Sequence, residues 1–158
     1  MTIEDIIRIT IEAHDGLKDI NGNPAIPHPL AVGLAGENEL EQKVGFLHDV
    51  VEDSAITISD LRERGVEEDV LEAVDLLTHR EGMSYQDYVK NIVFSGNLTA
   101  MKVKLNDLYQ NQQRARETFQ TQDFSGRAGE KKLDELLQIV QRHDWAVEYI
   151  QSAMIPRP

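Results

Sequence analysis

The sequence predicts an all-α protein built as a single domain. Apolar residues recur at helical spacing through most of the chain, helix caps and breakers punctuate it at regular intervals, and no stretch alternates as a strand would. The length of 158 residues suits one domain. We found no internal repeat and no interdomain linker, so we predict one domain over residues 1–158.

Capping residues and glycines define the helices of the first half. Thr2 and Asn38 are suitable N-caps, and Gly16 is a suitable stop. Pro29 suits the first turn of a short helix. The predicted helices span about residues 3–15, 29–35 and 38–53, and the glycine- and proline-rich segment 16–27 is predicted to be a loop.

The second half shows the same signals. Ser84 and Asn97 are predicted to cap two helices, and the polar segment 120–129 is predicted to be an exposed loop. The predicted helices span about residues 59–65, 67–78, 84–95, 97–118 and 130–154. The residues expected to face the core on the second of these are Val70, Ala73, Val74 and Leu77.

Composition excludes several functional classes. The net charge of -12 argues against broad nucleic-acid binding, which requires a cationic surface. The chain has no cysteine, which excludes disulfides and thiolate metal sites. No segment has the length of a membrane span and the N-terminus lacks a signal-peptide pattern, so we expect a cytoplasmic protein without membrane contact.

The segment 46–53 places one histidine and three acids in an otherwise apolar run. On a continuous helix, His48 would lie beside Glu52 and Asp49 beside Asp53, because residues four apart share a face. Burying several acids together is costly unless a positive group compensates. A divalent metal ion is the simplest compensator, since imidazole and carboxylate are both good ligands.

Further polar residues stand out along the predicted helices. His28 lies at a junction between loop and helix, and Asp107 lies in the middle of a helix, where aspartate has poor propensity. Lys104 and Asn111 share a helix face with Asp107. Each residue taken alone is also compatible with a solvated polar side chain.

Taken together, these residues resemble the HD-domain metal-dependent phosphohydrolases. The chain is most similar to the hydrolase domain of the RelA/SpoT type, including the stand-alone small alarmone hydrolases, which remove the 3′-pyrophosphate of (p)ppGpp. The resemblance covers about residues 3–115. It rests on three ordered motifs: Ala13–Gly16 with Gly22, Pro24, Ile26, His28 and Pro29; His48–Asp53; and Val103–Asp107 with Asn111.

The resemblance implies an HD-type helical bundle with a metal site. The implied ligands are His28, His48, Asp49 and Asp107. This mixed nitrogen and oxygen set suits Mn²⁺, with Fe²⁺, Mg²⁺ or Zn²⁺ as alternatives.

The resemblance also implies catalytic and substrate-binding residues. Glu52 and Asp53 would form the acid–base pair, the alternative being simple solvation at a helix end. Lys104 and Asn111 would contact phosphate or nucleotide, although Lys104 is also compatible with a surface lysine beside a buried acid. His14 is either a hydrogen-bonding residue behind the site or a satisfied core histidine.

This sequence departs from the family pattern mostly on the substrate side. Asp19 and Ile20 replace an Arg-Lys pair that packs on the purine and meets phosphate, and Lys18 could substitute from the adjacent position. Ala25 replaces a tyrosine and Leu108 an arginine. An acid in place of an arginine reverses a charge interaction with a polyanion.

Three functions are therefore open from the sequence. The first is a metal-dependent (p)ppGpp 3′-pyrophosphohydrolase. The second is an HD-domain phosphohydrolase acting on another nucleotide or phosphomonoester, and the third is a non-catalytic nucleotide- or metal-binding module. We expect a small phosphorylated nucleotide as partner and no synthetase domain, and the sequence does not indicate an oligomer.

Overall fold

The structure, a computed structural model, describes residues 1–156 and contains nine α-helices within them. Their bounds are α1 Ile3–His14, α2 Pro27–Leu34, α3 Glu39–Leu47, α4 Val50–Asp53, α5 Ile58–Glu63, α6 Glu68–Leu77, α7 Tyr85–Phe94, α8 Leu98–Thr121 and α9 Gly126–Met154. The described residues form no strand, and their one isolated β-bridge joins Lys18 to Pro24. The all-α prediction is confirmed.

The predicted helix caps are present. The side chains of Thr2, Asn38 and Ser84 each accept a hydrogen bond from the backbone N–H three residues on, at the starts of α1, α3 and α7. Asn97 does the same at the start of α8, with Ala100 as donor. These bonds satisfy amide groups that have no partner inside the helix.

One predicted helix is wrong in an informative way. The helix expected over residues 38–53 ends at Leu47, and α4 starts only at Val50. His48 keeps helical dihedral angles, whereas Asp49 has φ -100° and ψ -5°, so the chain unwinds between these two residues. Helical spacing is kept from Asp49 to Asp53, because the Asp53 N–H donates to the Asp49 carbonyl oxygen (2.9 Å), whereas His48 belongs to the end of the preceding helix.

Two boundaries also differ from the prediction. The second helix starts at Pro27 rather than Pro29, with Pro27 in the first turn, where its missing N–H is tolerated. The loop predicted over residues 120–129 is shorter, because α8 continues to Thr121 and α9 begins at Gly126. Polar residues without a proline do not by themselves end a helix.

The chain forms two compact units, Met1–Asp107 and a second that begins at Leu108. The prediction of one domain over residues 1–158 stays a prediction, and its last two residues lie outside the described part. In the first unit, α3 packs against α1, α2 and α6, and α1 also packs against α4. The four predicted core residues of α6 are all buried.

Two glycines bring α2 and α3 unusually close together. A Cβ atom on Gly45 would lie 2.8 Å from Gly33 Cα and 2.9 Å from the Val32 carbonyl oxygen. A Cβ on Gly33 would lie 2.2 Å from a ring carbon of Phe46. Only glycine fits at either position, so the helix that carries His28 and the helix that precedes His48 are in close contact.

The second unit contains the end of α8 and the whole of α9. The Gln112 side chain donates a hydrogen bond to Asp144 (2.8 Å), and the Gln151 side chain donates one to the Tyr109 hydroxyl (2.7 Å). Later residues of α8 thus pair with earlier residues of α9, which makes the two segments antiparallel.

Among residues 1–156, no helix combines the length and apolar character needed to cross a bilayer.

Candidate metal centre and catalytic site

Four side chains from three parts of the first unit converge on one point. His28 lies on α2, His48 and Asp49 lie between α3 and α4, and Asp107 lies on α8. One ligand atom from each of the first three residues lies within 4.8 Å of the others. The Oδ1 atom of Asp107 lies 3.0 Å from His28 Nε2 and 3.7 Å from His48 Nε2. The four residues that the sequence nominated as ligands are therefore neighbours.

The carboxylate of Asp49 completes this cluster. Its Oδ2 atom lies 3.0 Å from His48 Nε2 and 3.6 Å from His28 Nε2. The imidazole rings meet edge to face, with centroids 5.3 Å apart. Asp49 is the most exposed of the group, with 27% of its side-chain surface accessible, whereas the other three side chains are at most 8% exposed. The cluster is thus buried but open on the side of Asp49.

A backbone contact fixes the ring of His48. Its Nδ1 lies 2.7 Å from the Gly45 carbonyl oxygen, which can only accept, so Nδ1 carries the proton. The Nε2 atom is buried and makes no hydrogen bond with the described residues. A ring held by one nitrogen, with the other directed at carboxylates, has the arrangement of a metal-binding histidine.

Strong electrostatic coupling marks the cluster. Burial alone would lower the pKa of His48, but the Asp49 and Asp107 carboxylates outweigh burial and raise that pKa well above its usual range. Burial alone would raise the pKa of Asp107, but Lys104 and both histidines outweigh it and hold that pKa well below normal. Acids therefore stay ionised inside the protein next to imidazole nitrogens, and this set of donors fits a divalent cation.

Lys104 supports Asp107 from within the protein. Its Nζ atom donates a hydrogen bond to Asp107 Oδ2 (2.7 Å) and lies 5.0 Å and 5.8 Å from the ring centroids of Tyr88 and Tyr85. The residue is only 8% exposed, which excludes the surface lysine considered from the sequence. Lys104 holds one oxygen of Asp107 and leaves the other facing the histidines.

Glu52 lies at the open edge of this cluster. Its Oε2 accepts a hydrogen bond from the backbone N–H of His79 (3.0 Å). Although Glu52 is exposed along one edge, desolvation by the surrounding protein raises the pKa of its carboxyl, and the nearby Asp49 charge adds to this effect. A raised pKa brings the group closer to the range in which proton transfer is effective.

Asp53 faces a different partner. Its Oδ2 atom lies 3.5 Å from Nε2 of His14, whose side chain is almost completely buried on α1. Glu52 and Asp53 therefore diverge, one towards the segment after α6 and the other towards α1.

The two remaining predicted substrate contacts, Lys18 and Asn111, come from different parts of the chain. Lys18 is exposed on the loop between α1 and α2. Asn111 belongs to the second unit, where its Oδ1 accepts a hydrogen bond from Arg114 (2.5 Å). In the same loop as Lys18, Asp19 Oδ1 accepts hydrogen bonds from the backbone N–H groups of Asn21 and Asn23, each 2.9 Å long.

Sequence reasoning missed the residues near the site that come from α7 and from the segment between α6 and α7. The His79 ring stacks on Tyr88 with centroids 4.7 Å apart, and its Nε2 lies 2.7 Å from the Met83 carbonyl oxygen. The Tyr88 hydroxyl donates to the Leu77 carbonyl oxygen. The three-residue spacing of Tyr85 and Tyr88 on α7 was a weak signal, since aromatic residues at helical spacing usually fill a core.

Comparisons with known proteins agree with this geometry. No protein-family model matches the chain. A solved structure described as "A metazoan ortholog of SpoT hydrolyzes ppGpp and plays a role in starvation responses" superposes with a TM-score of 0.62 and 18% identity, covering 94% of this chain and 92% of that one. A curated protein of Oryza sativa subsp. japonica, "Putative GTP diphosphokinase RSH1, chloroplastic", is 41% identical over 56 residues, which is 33% of this chain.

The structural match shows that the chain shares the fold of that solved structure, and the shorter sequence match agrees with the resemblance to the RelA/SpoT type. The matched segment spans only 6% of the rice protein's length. The His and Asp cluster is a candidate site for a divalent metal.

Proposed function

We propose that this protein is a metal-dependent phosphohydrolase that removes the 3′-pyrophosphate of (p)ppGpp. The observation that carries the proposal is the buried convergence of two imidazoles and two carboxylates, near which the Asp49 charge also acts on the carboxyl of Glu52. The neighbouring structure, titled for a SpoT ortholog that hydrolyses ppGpp, supports the same substrate class.

We further propose that His28, His48, Asp49 and Asp107 hold the cation, with Mn²⁺ as the preferred ion and Fe²⁺, Mg²⁺ or Zn²⁺ as alternatives. The mixed nitrogen and oxygen donors support this choice. Such an ion supplies Lewis-acid chemistry, because it makes water more acidic near neutral pH and offsets charge on phosphoryl oxygens.

Glu52 and Asp53 are the proposed acid–base pair. Together they orient and deprotonate the attacking water and return a proton to the 3′-oxygen as its bond to phosphorus breaks. The products are pyrophosphate and a nucleotide with a free 3′-hydroxyl. The exposure of Glu52 and Asp53 supports this role, since an exposed carboxylate can exchange protons with solvent.

A second substrate class is favoured by one observation. Asp19 is engaged in its own loop and places a negative charge where the family has an arginine. A negative charge at this position suits a nucleotide carrying fewer phosphates than (p)ppGpp.

We propose Lys18, Lys104 and Asn111 as candidate substrate contacts and the cytoplasm as the site of action.

The decisive experiment measures pyrophosphate and phosphate release from ppGpp and from a panel of ordinary nucleotides, with and without added Mn²⁺. We expect Mn²⁺-dependent pyrophosphate release from ppGpp. Release of phosphate from other nucleotides alone would favour the second substrate class, and inactivity on the whole panel would favour a binding module.

Glu52→Gln separates catalysis from binding. The amide keeps the shape and accepts the same hydrogen bond from His79 but carries no transferable proton. We expect kcat to fall by about 10²- to 10⁴-fold while Mn²⁺ affinity, measured by titration calorimetry, stays within a few-fold. An unchanged kcat would exclude Glu52 from proton transfer.

A further inference from the structure

A buried histidine lies behind the site and has no role in the mechanism described so far. The side chain of His14 is 1% exposed, and its Nδ1 lies 2.8 Å from the Thr10 carbonyl oxygen. Its Nε2 is buried, makes no hydrogen bond with the described residues, and lies 3.5 Å from Asp53 Oδ2. A polar atom this deeply buried is costly unless it serves a partner.

The hydrogen-bond partners determine where the protons of this ring are. A carbonyl oxygen only accepts, so His14 Nδ1 carries a proton that it donates to Thr10. If Nε2 carried none, its lone pair would face the Asp53 carboxylate, and two acceptors would oppose each other. A second proton between Nε2 and Asp53 removes this conflict.

We infer that His14 is a positioning residue for Asp53, and that its doubly protonated ring donates from Nε2 to the Asp53 carboxylate. This inference rests on the proposed function, because Asp53 is one of the two proposed acid–base residues. Asp53 is 45% exposed, so its side chain has room to rotate and shorten the 3.5 Å gap. The contact would hold one carboxylate oxygen and direct the other towards the open edge of the site.

The surroundings of His14 support this protonation. Burial would lower the pKa of His14, but the Asp53 carboxylate, the Thr10 carbonyl and the more distant Asp49 charge outweigh burial and raise it. The ring is also firmly placed, because the Thr10 hydroxyl donates to the Phe46 carbonyl oxygen of α3 (2.8 Å). Helix α1 therefore presents His14 at a fixed position relative to the chain that leads into His48.

Nuclear magnetic resonance of the histidine side chains tests the protonation without any turnover. At pH 7 we expect both ring nitrogens of His14 to carry protons in the parent protein. Asp53→Asn removes the facing charge, and we expect His14 to become neutral with its proton on Nδ1. His79, whose Nε2 contacts the Met83 carbonyl, should keep its resonances and serves as the internal control.

Two amide variants then separate positioning from packing. His14→Gln places an N–H near the former Nε2 and can still donate to Asp53, whereas His14→Asn places its N–H near the former Nδ1 and can serve only Thr10. We expect His14→Asn to lower kcat by about 10- to 100-fold with KM little changed. His14→Gln should keep most of kcat. In the parent protein we expect kcat to fall at high pH, where His14 loses its second proton, and in His14→Gln this fall should be smaller.

The outcomes separate this inference from the proposed function. A neutral His14 in the parent protein, or one that does not respond to Asp53→Asn, overturns the inference whatever the activity. Equal losses of kcat in both amide variants would also overturn it, because packing alone would then explain the effect. Absence of turnover in the parent protein would overturn the proposed function, while the resonance experiment would still decide the protonation of His14.

Discussion

The buried metal-ligand cluster and the exposed loop between α1 and α2 are built in opposite ways. In the cluster, His48 is held by a backbone carbonyl and Asp107 by Lys104, and each of these groups is itself surrounded by packed helices. In the loop, the Asp19 carboxylate accepts hydrogen bonds from backbone N–H groups two and four residues further along the chain. The positions of the cluster residues are therefore set by contacts between different helices of the first unit. The conformation of the loop is set by hydrogen bonds within the loop.

This difference places the proposed metal ligands and the proposed substrate-binding loop in regions that respond differently to sequence change. Residues that would hold the cation cannot be moved without disturbing several helices. The loop that carries Lys18 can change sequence while its turn is rebuilt locally. The departures from the family pattern at Asp19 and Ile20 fall in this loop, while all four ligand positions match. A protein arranged in this way can keep its reaction and change its substrate.

The largest effect is expected from removing one ligand. Asp49→Ala takes away the carboxylate that closes the cluster on its open side, so Mn²⁺ affinity should fall by more than about 100-fold. Titration calorimetry measures this directly. Glu63→Ala, which removes an exposed acid at the end of α5, is the matched control and should leave the affinity unchanged. Equal affinities in both variants would mean that the cation binds elsewhere.

The second-largest effect is expected from removing the buried ammonium group of Lys104. Lys104→Met leaves Asp107 charged and buried without its partner, which costs about 3–5 kcal/mol. The free energy of unfolding of the metal-free protein, measured in urea, should fall by this order, and added Mn²⁺ should restore part of it. Lys104→Arg keeps the charge and should lose less. If Lys104→Met unfolds like the parent protein, the ammonium does not stabilise Asp107.

A smaller effect is expected at the contact between α2 and α3. Gly45→Ala places a methyl group against Gly33 and the Val32 carbonyl, and overpacking of this kind costs about 1–3 kcal/mol. Because the two helices carry or adjoin His28 and His48, Mn²⁺ affinity should fall together with stability. Unfolding in urea and metal titration would be measured on the same samples. A loss of stability with unchanged affinity would show that the ligands tolerate the displacement.

The smallest effect is expected in the loop. Asp19→Asn keeps an oxygen that can accept the bonds from Asn21 and Asn23 but removes the charge. Since one charge near a polyanion is worth about 1 kcal/mol in water, KM for ppGpp should fall by up to about fivefold, and less at high salt. Mn²⁺ affinity and stability should not change. A shift in metal affinity would mean that the loop and the cluster are coupled.

The sequence predicted the residues of the site better than their contacts. The fold class and the helix caps followed from local patterns, and the four residues that lie together in the candidate metal site were named from the resemblance. The break at His48 and Asp49 did not, because apolar residues continue at helical spacing through it. The burial of Lys104 depends on Tyr85 and Tyr88, which are 19 and 16 residues away, and no local pattern encodes that contact.

The pairing of His14 with Asp53 was hidden for the same reason. The two residues are 39 positions apart, and the sequence left His14 open between a core histidine and a hydrogen-bonding role. What decides between them is the packing of α1 against α4, which only the folded chain reveals.

The unwound step between α3 and α4 has a consequence for how this segment tolerates change. On a straight helix, successive side chains point about 100° apart, yet His48 Nε2 and Asp49 Oδ2 lie 3.0 Å from each other. His48 belongs to the end of α3, whereas Asp49 begins α4 and its carbonyl oxygen accepts a hydrogen bond from the Asp53 N–H. A substitution that rotates α4 would therefore move Asp49 together with Glu52 and Asp53.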